Sequence, residues 1–365
     1  MSAGAADVWH DVITGRRDGF GPRCARLALA TLSLPYRAAV GANLAVFEHR
    51  LLPRARLPCP VISVGNLTLG GTGKTSSAAF IARHLRRLGR HPAIILRGHA
   101  AGGRSSRVLA PGREPPSADE VGDEAAMLAA SLADVPIGVG KWREGVGREL
   151  LANTPTDVVV LDDGFQYFRL ARELDIVLVD ALRPLGEQRL FPAGTLREPA
   201  SHLRRAQAVW ITHADLAPAA ALAGVRGEVT ALAPEAVVAV TRHRALTMRL
   251  LHNGREVEPA SQIADARVLA LSSIGNPLAF EMSLSRLGAR EVVPLRFPDH
   301  HQYTGADAAA IAERASETGR VVTTEKDAVR LQPVTVGADV WVLRCELEIL
   351  EGADRALSLI EGAVR

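Results

Sequence analysis

The sequence predicts an α/β protein: a mainly parallel sheet flanked by helices, then a second, smaller α/β domain joined by a β-hairpin linker. Three observations predict it. Short uninterrupted apolar runs such as DVVVLDD (157–163) and DIVLVDA (175–181) alternate with stretches of helical spacing, the pattern of a buried parallel sheet. A glycine-rich run ending in Lys74-Thr75 stands where one such strand gives way to a helix. Near residue 236 the texture changes to longer extended segments, then returns to strand–helix alternation. At 365 residues there is room for about two domains. Apolar residues make up 47% and charged residues 23%, which excludes a disordered or collagen-like chain. No charge-free run approaches the about 18 apolar residues of a membrane span. Aromatics at 4% argue against a stacking platform for single strands, and a net charge of +3 is too small to mark a nucleic-acid partner.

The elements follow in order. MSAGAADVWHDV carries Asp7 and Asp11 where a signal peptide would be basic, so none is expected. Cys24, Cys59 and Cys345 form no CxxC or zinc spacing, which suits reduced thiols in a cytosolic setting. Residues 1–60 hold eight arginines, four acids and no lysine. Within them, residues 24–47 are a long apolar stretch interrupted by Arg26, Pro35 and Arg37, and Pro35 is expected to kink or split a helix there. Two readings compete: an amphipathic helix packed on its own domain, or a helix lying in an anionic membrane surface with its arginines toward the headgroups. PVISVGN (60–66) reads as a strand, 74–88 as a helix, and HPAIILRG (91–98) as a strand. A polar Gly-, Ser- and Pro-rich segment follows over 101–119 and reads as a long loop. AVWITHAD (208–215) is a further strand. HNG (252–254) signals a tight hairpin turn. The second α/β stretch starts with RVLALSSIGNP (267–277), has strands at 291–297, 321–326 and 340–349, and helices at 278–288, 305–318 and 355–364.

The chemistry is concentrated in a few runs. Thr68-Leu69-Gly70-Gly71-Thr72-Gly73-Lys74-Thr75 is a phosphate-binding loop between strand and helix, and it makes the first domain a P-loop NTPase-type fold. Its glycines let backbone N–H groups turn toward phosphate oxygens, and the helix N-terminus adds partial positive charge. Lys74 would reach the β- and γ-phosphates and Thr75 would ligate Mg²⁺. The first position departs from the usual pattern, with Thr68 where a glycine is common. Asp162 and Asp163 end a neighbouring apolar strand, as acids that hold Mg²⁺ directly or through water do. Thr212-His213-Ala214-Asp215 lacks the lysine of a guanine-selecting run, which favours ATP. Gly122-Asp123-Glu124 precedes a helix. On spacing alone Asp123 reads as its N-cap, and the functional alternative is a base beside a metal-shell acid. In FPDHHQY (297–303) the consecutive His300 and His301 are not spaced for zinc; a histidine serving a carboxylate fits better.

Taken together, PVISVGNLTLGGTGKT, VGDEAAMLA, GKWREG, DDGFQYFRLARELDIVLVDA, RLFPAGTLREP, FPDHHQY and TTEKDAVRL resemble the tetraacyldisaccharide 4′-kinase (LpxK) family of lipid A biosynthesis, in order from about residue 58 to 331. The resemblance implies transfer of the γ-phosphoryl of ATP to the 4′-hydroxyl of tetraacyldisaccharide 1-phosphate, with Mg²⁺, at the cytoplasmic face of the bacterial inner membrane. Carried over by position, it implies Lys74 and Thr75 as the phosphate-loop pair, Asp123 as base aided by His300, and Glu124, Asp162 and Asp163 as metal-side acids with Thr75. It further implies Arg143 facing phosphate and Gln166 as a nearby polar contact. It favours the membrane reading for residues 16–56, with no nucleic acid and no obligate protein partner. The implied organisation is an N-terminal membrane-associated segment (1–57), a kinase core (58–235), a β-hairpin linker (236–260) and a C-terminal α/β domain (261–365). One departure is Arg97-Gly98-His99-Ala100 where the family usually has Arg-Gly-Tyr-Gly. The runner-up is a P-loop regulatory ATPase or metallochaperone-type switch acting through a protein partner.

Overall fold

A computed structural model describes residues 3–98, 106–114, 116–185, 189–252 and 257–365, with side chains from residue 8. The chain forms two compact units, each built from discontinuous segments. One comprises Met1–Lys74, Asp163–Val240 and Glu351–Arg365, and the other Thr75–Asp162 and Thr241–Leu350.

In the first unit the strands Val61–Asn66, Leu174–Asp180 and Ala208–Thr212 lie side by side in parallel, followed by the start of Val237–Leu250. Asn66 stands opposite Leu178, and Asp180 opposite Thr212. Every residue of the first three strands is buried, which is why their sequence is continuously apolar rather than alternating. Leu67, Phe165, Val177, Val209, Ile211 and Val229 form the core on one face. Gly65 is required by close approach: a Cβ there would lie 2.5 Å from the Cβ of Phe165. The helix Phe20–Glu48 runs through Pro35 as one element, so the expected split does not occur. The proline removes a single backbone donor, and the flanking turns are anchored: Ser33 and Tyr36 bond to the segment around 190–197, and Leu44 and Phe47 pack on Phe168. Elsewhere the helix leaves Leu27, Leu32 and Leu34 exposed, with Phe20 86% accessible. No described helix is long and apolar enough to cross a membrane.

In the second unit the strand Pro92–Leu96 lies between Val158–Asp162 and Ile137–Val139, all parallel. Arg107–Leu109 adds an antiparallel strand to Ile137–Val139. The segment 101–119 is therefore not one continuous loop. It holds this strand and the start of the helix Ala118–Val121, whose capping box joins Ser117 and Glu120. Residues 99–105 and 115, which include the His99 departure, lie outside the described residues. A further parallel set runs in the order Glu291–Arg296, Arg267–Ser272, Arg320–Thr324, Val340–Glu351. Met248 pairs antiparallel with Glu258, as a hairpin requires, while Asn253 and Gly254 at its turn lie outside the described residues. Ile311, Val321 and Leu331 fill one face of this sheet, and Phe280, Val322 and Trp341 the other. The strand expected over 321–326 ends at Thr324, where the Thr324 hydroxyl accepts the N–H of Asp327 and starts the helix Glu325–Leu331. That helix packs against Asp123–Ser131.

Candidate active site

The phosphate loop is built by the strand before it and the helix after it. Asn66, the last strand residue, donates through Nδ2 to the Thr72 hydroxyl at 2.9 Å. Gly70 and Gly73 have φ of 109° and 85°, a left-handed backbone that suits glycine. The loop's flank is held by Leu69 N–H to the Thr195 carbonyl and Arg197 N–H to the Leu67 carbonyl, both 2.7 Å. Lys74 opens the helix Lys74–Arg87 and places Nζ 3.6 Å from Asp163 Oδ1. Arg197 donates to both oxygens of Asp163, at 2.8 and 2.9 Å. Asp163 itself has φ 54°, an unusual conformation for a non-glycine residue and one that recurs at functional sites. The next pair along is Thr75 and Asp162: the threonine hydroxyl donates to Asp162 Oδ2 at 2.8 Å. A hydroxyl and a carboxylate in contact are hard oxygen donors that fit Mg²⁺, which needs only one or two carboxylates beside substrate phosphates. No group of three or more His, Cys, Asp or Glu that could hold a metal ion occurs among the described residues. Gln166 donates to the Asn66 carbonyl at 2.9 Å, so it braces the strand end below the loop.

The second constellation forms where the helices Asp123–Ser131 and Glu325–Leu331 meet the loop 297–303. Gly122, with φ 89°, is the helix N-cap, and Asp123 is the first helical residue rather than the cap itself. Asp123 Oδ1 accepts the N–H of Glu124 at 2.9 Å, and Oδ2 accepts His300 Nδ1–H at 2.8 Å. One carboxylate thus serves the helix end and the histidine together. With Nδ1 donating, His300 Nε2 is the acceptor facing Lys326 Nζ at 3.3 Å. Lys326 also lies 3.8 Å from Asp123, 3.6 Å from Glu124 and 3.8 Å from Asp299. Arg330 Nε approaches Asp123 to 3.8 Å. Burial pushes the Asp123 carboxyl up, but the His300 hydrogen bond and the charges of Lys326 and Arg330 outweigh it and hold the group well below the usual carboxylate range. The hydrogen bond to Asp123 raises His300, against the opposing effects of burial and Lys326. The Asp123 side chain is 10% accessible and that of His300 44%, so the pair is solid behind and open in front.

Behind the pair lies a buried polar frame. Asp327 Oδ1 accepts from Ser273 N–H and Oγ, from the Tyr303 hydroxyl and from Arg330 Nη2. Arg330 Nη2 also donates to the Ser273 carbonyl, which accepts the N–H of His300 as well. This holds His300 at φ 60°, again left-handed. Its neighbour His301 turns away, stacks on Phe297 with centroids 4.8 Å apart and lies 3.1 Å from Asp307, a structural role. Arg143 begins the helix Arg143–Asn153 and is 3% accessible. Of the residues expected from sequence, the structure thus joins Lys74 with Asp163, Thr75 with Asp162, Asp123 with His300, and Glu124 to them through Lys326. Sequence reasoning missed Lys326, Arg330 and Arg197. Arg197 lies in the RLFPAGTLREP run, whose specificity was the available signal, whereas Lys326 and Arg330 lie in TTEKDAVRL with no local mark of their role.

Comparison with known proteins identifies the family. The family model described as tetraacyldisaccharide-1-P 4′-kinase (LpxK) matches residues 25–364. The chain belongs to this family. Tetraacyldisaccharide 4′-kinase of Anaeromyxobacter dehalogenans (strain 2CP-C) is 41% identical over 330 residues, covering 88% of this chain and 86% of the relative. That of Syntrophus aciditrophicus is 37% identical, covering 86% and 87%. Among solved structures, LpxK from Aquifex aeolicus in complex with ATP superposes with a TM-score of 0.70 at 26% identity, over 93% of this chain and 100% of that one. The chain is therefore a member of a kinase family with an α/β fold, and the regulatory-ATPase reading is not favoured.

Proposed function

We propose that this LpxK-family kinase transfers the γ-phosphoryl of ATP to the 4′-hydroxyl of tetraacyldisaccharide 1-phosphate. The observation that carries the mechanism is the 2.8 Å hydrogen bond from His300 to Asp123, set beside two cations and within a chain that also carries a phosphate loop. In this reading Asp123 orients the acceptor hydroxyl and takes its proton. A carboxylate held at low pKa is a weak base, and phosphoryl transfer through a loose transition state suits one, because the proton leaves late. The new P–O bond forms as the bond to the β-phosphate oxygen breaks, ADP leaves with that electron pair, and the hydroxyl proton passes to Asp123. Neutral His300, donating through Nδ1, keeps the carboxylate aimed. Lys74 and Arg143 offset charge on the transferring group. Thr75 and Asp162 would hold Mg²⁺, with Asp163 and Glu124 as further acids; when bound, the ion neutralises charge on the β- and γ-phosphates.

The acceptor carries acyl chains that leave a bilayer only at about 0.8 kcal/mol per buried CH₂, so the enzyme must work at the lipid surface. Residues 16–56 suit that surface. Phe20, Leu27, Leu32, Leu34, Leu51 and Leu52 are exposed, and so are Arg16, Arg17, Arg23, Arg37, Arg50, Arg54 and Arg56. This is an interfacial surface at the cytoplasmic face of the inner membrane, within the four-part organisation given above (1–57, 58–235, 236–260, 261–365). The test is transfer of label from γ-labelled ATP to tetraacyldisaccharide 1-phosphate in mild detergent. Label on the lipid, absent with Lys74→Ala, is expected. Label released as free phosphate regardless of lipid would overturn the reading.

A further inference from the structure

The segment 189–199 touches the phosphate loop on one side and the N-terminal helices on the other, all within one compact unit. Toward the loop, Thr68 and Leu196 form an antiparallel bridge, flanked by the bonds from Leu69 to Thr195 and from Arg197 to Leu67. The Arg197 side chain fixes Asp163, which faces Lys74. Toward the helices, the Tyr36 hydroxyl donates to the backbone carbonyl of that same Arg197 at 2.9 Å. The Ser33 hydroxyl lies 3.1 Å from the Leu190 carbonyl and accepts the Ala193 N–H at 3.2 Å. The Trp9 indole donates to the Pro192 carbonyl at 2.8 Å. The Phe191 ring packs against both Trp9 and Tyr36, with centroids 5.8 and 5.6 Å away.

We infer that the helix Phe20–Glu48 positions the phosphate loop for ATP: Tyr36, supported by Ser33 and Trp9, holds Arg197 and through it the loop flank and Asp163. This rests on the reading of the loop as the ATP site. The loop is irregular and carries two left-handed glycines, so its binding geometry is one of several open to the bare chain. Apparent affinity scales with the fraction already in the competent geometry, and the brace at Tyr36 raises that fraction. Tyr36 is a positioning residue, acting through Arg197. The helix that exposes Leu27, Leu32 and Leu34 also carries Ser33 and Tyr36, which hold the segment beside the loop.

The test compares the full chain with Tyr36→Phe and with Tyr36→Phe/Ser33→Ala, all in mild detergent. ATP affinity is measured by calorimetry, KM for the lipid acceptor by kinetics, and the melting temperature without ATP. Tyr36→Phe is expected to weaken ATP by roughly threefold to tenfold, the weight of one hydrogen bond, and the double variant by more. Acceptor KM and melting temperature should stay near wild type. Unchanged ATP affinity in both variants would overturn the inference. So would a parallel loss of ATP affinity, acceptor affinity and melting temperature, which marks general destabilisation. A wild-type chain that binds no ATP would instead sink the reading of the loop on which the inference rests.

Discussion

Asp123 shows how one side chain reconciles two roles that look exclusive on spacing. Its Oδ1 satisfies a helix-end N–H, and its Oδ2 meets His300. Asp123→Ala should lower kcat by about 10²–10⁴-fold, the usual weight of general acid–base catalysis, with little change in KM for ATP. An unchanged kcat would remove Asp123 from the mechanism. The pH dependence follows from the shifts. His300 lies above its ordinary value, so its share of stability is present below the ordinary imidazole range and is lost as pH rises through the folded value. Asp123 lies below its ordinary range, so its share is present above that range and is lost as pH falls. The proposed mechanism needs neutral His300, which puts the acid limb of the kcat/KM profile above the ordinary imidazole pKa of about 6.5. Lys326 holds the pKa of both groups down. Lys326→Met should therefore move that limb to higher pH and reduce kcat, and an unmoved limb would show that Lys326 does not act on the pair. Lys74 and Thr75 could be named from a short run with its own chemistry, whereas Asp123 and His300 were singled out only through the family resemblance, since on spacing alone Asp123 reads as a helix N-cap. Lys326 and Arg330 were not legible, because nothing local tells a helix-surface cation from one packed against a carboxylate some 200 residues away.

At the scale of elements, the helix Glu325–Leu331 decides the second constellation. Residues 321–326 read as strand because Val321, Val322, Thr323 and Thr324 favour it. The Thr324 cap and Asp327 turn the chain into a helix one residue later, and the helix presents Lys326 and Arg330 to Asp123. Asp327 is fully buried and receives a bond from Arg330. Asp327→Ala should cost about 3–5 kcal/mol, since it leaves a buried guanidinium without its partner; a denaturant midpoint at unchanged slope measures it. The strand Val61–Asn66 makes a different demand. A Cβ at Gly65 would meet Phe165 at 2.5 Å, so Gly65→Ala should destabilise by about 1–3 kcal/mol through overpacking, read in the same way. The apolar runs made these strands legible. Pro35 misled in one respect, because a proline's lost donor is a local deficit and the anchoring by Ser33, Tyr36, Leu44 and Phe47 is tertiary.

For the whole molecule, the exposed leucines and arginines of residues 16–56 predict interfacial attachment without a span. The full chain should co-sediment with anionic vesicles, less so at high salt because charge attraction is screened. Replacing Leu27 and Leu34 with serine should weaken that binding by about tenfold or more, given the free energy of burying a leucine side chain. Binding unaffected by both changes would place the lipid surface elsewhere.

The sequence by itself determined the alternation of strands and helices, the phosphate loop and the acids at the end of the strand Val158–Asp162. Each of these is written in contiguous residues whose periodicity or backbone freedom is a local property. Only the tertiary structure decided that Lys326 and Arg330 frame the Asp123–His300 pair, that Arg197 fixes Asp163, and that Tyr36 reaches the carbonyl of Arg197. Those contacts join residues between 34 and 207 positions apart, and no local pattern encodes which distant partner a charged or hydroxyl group will meet once the core has closed.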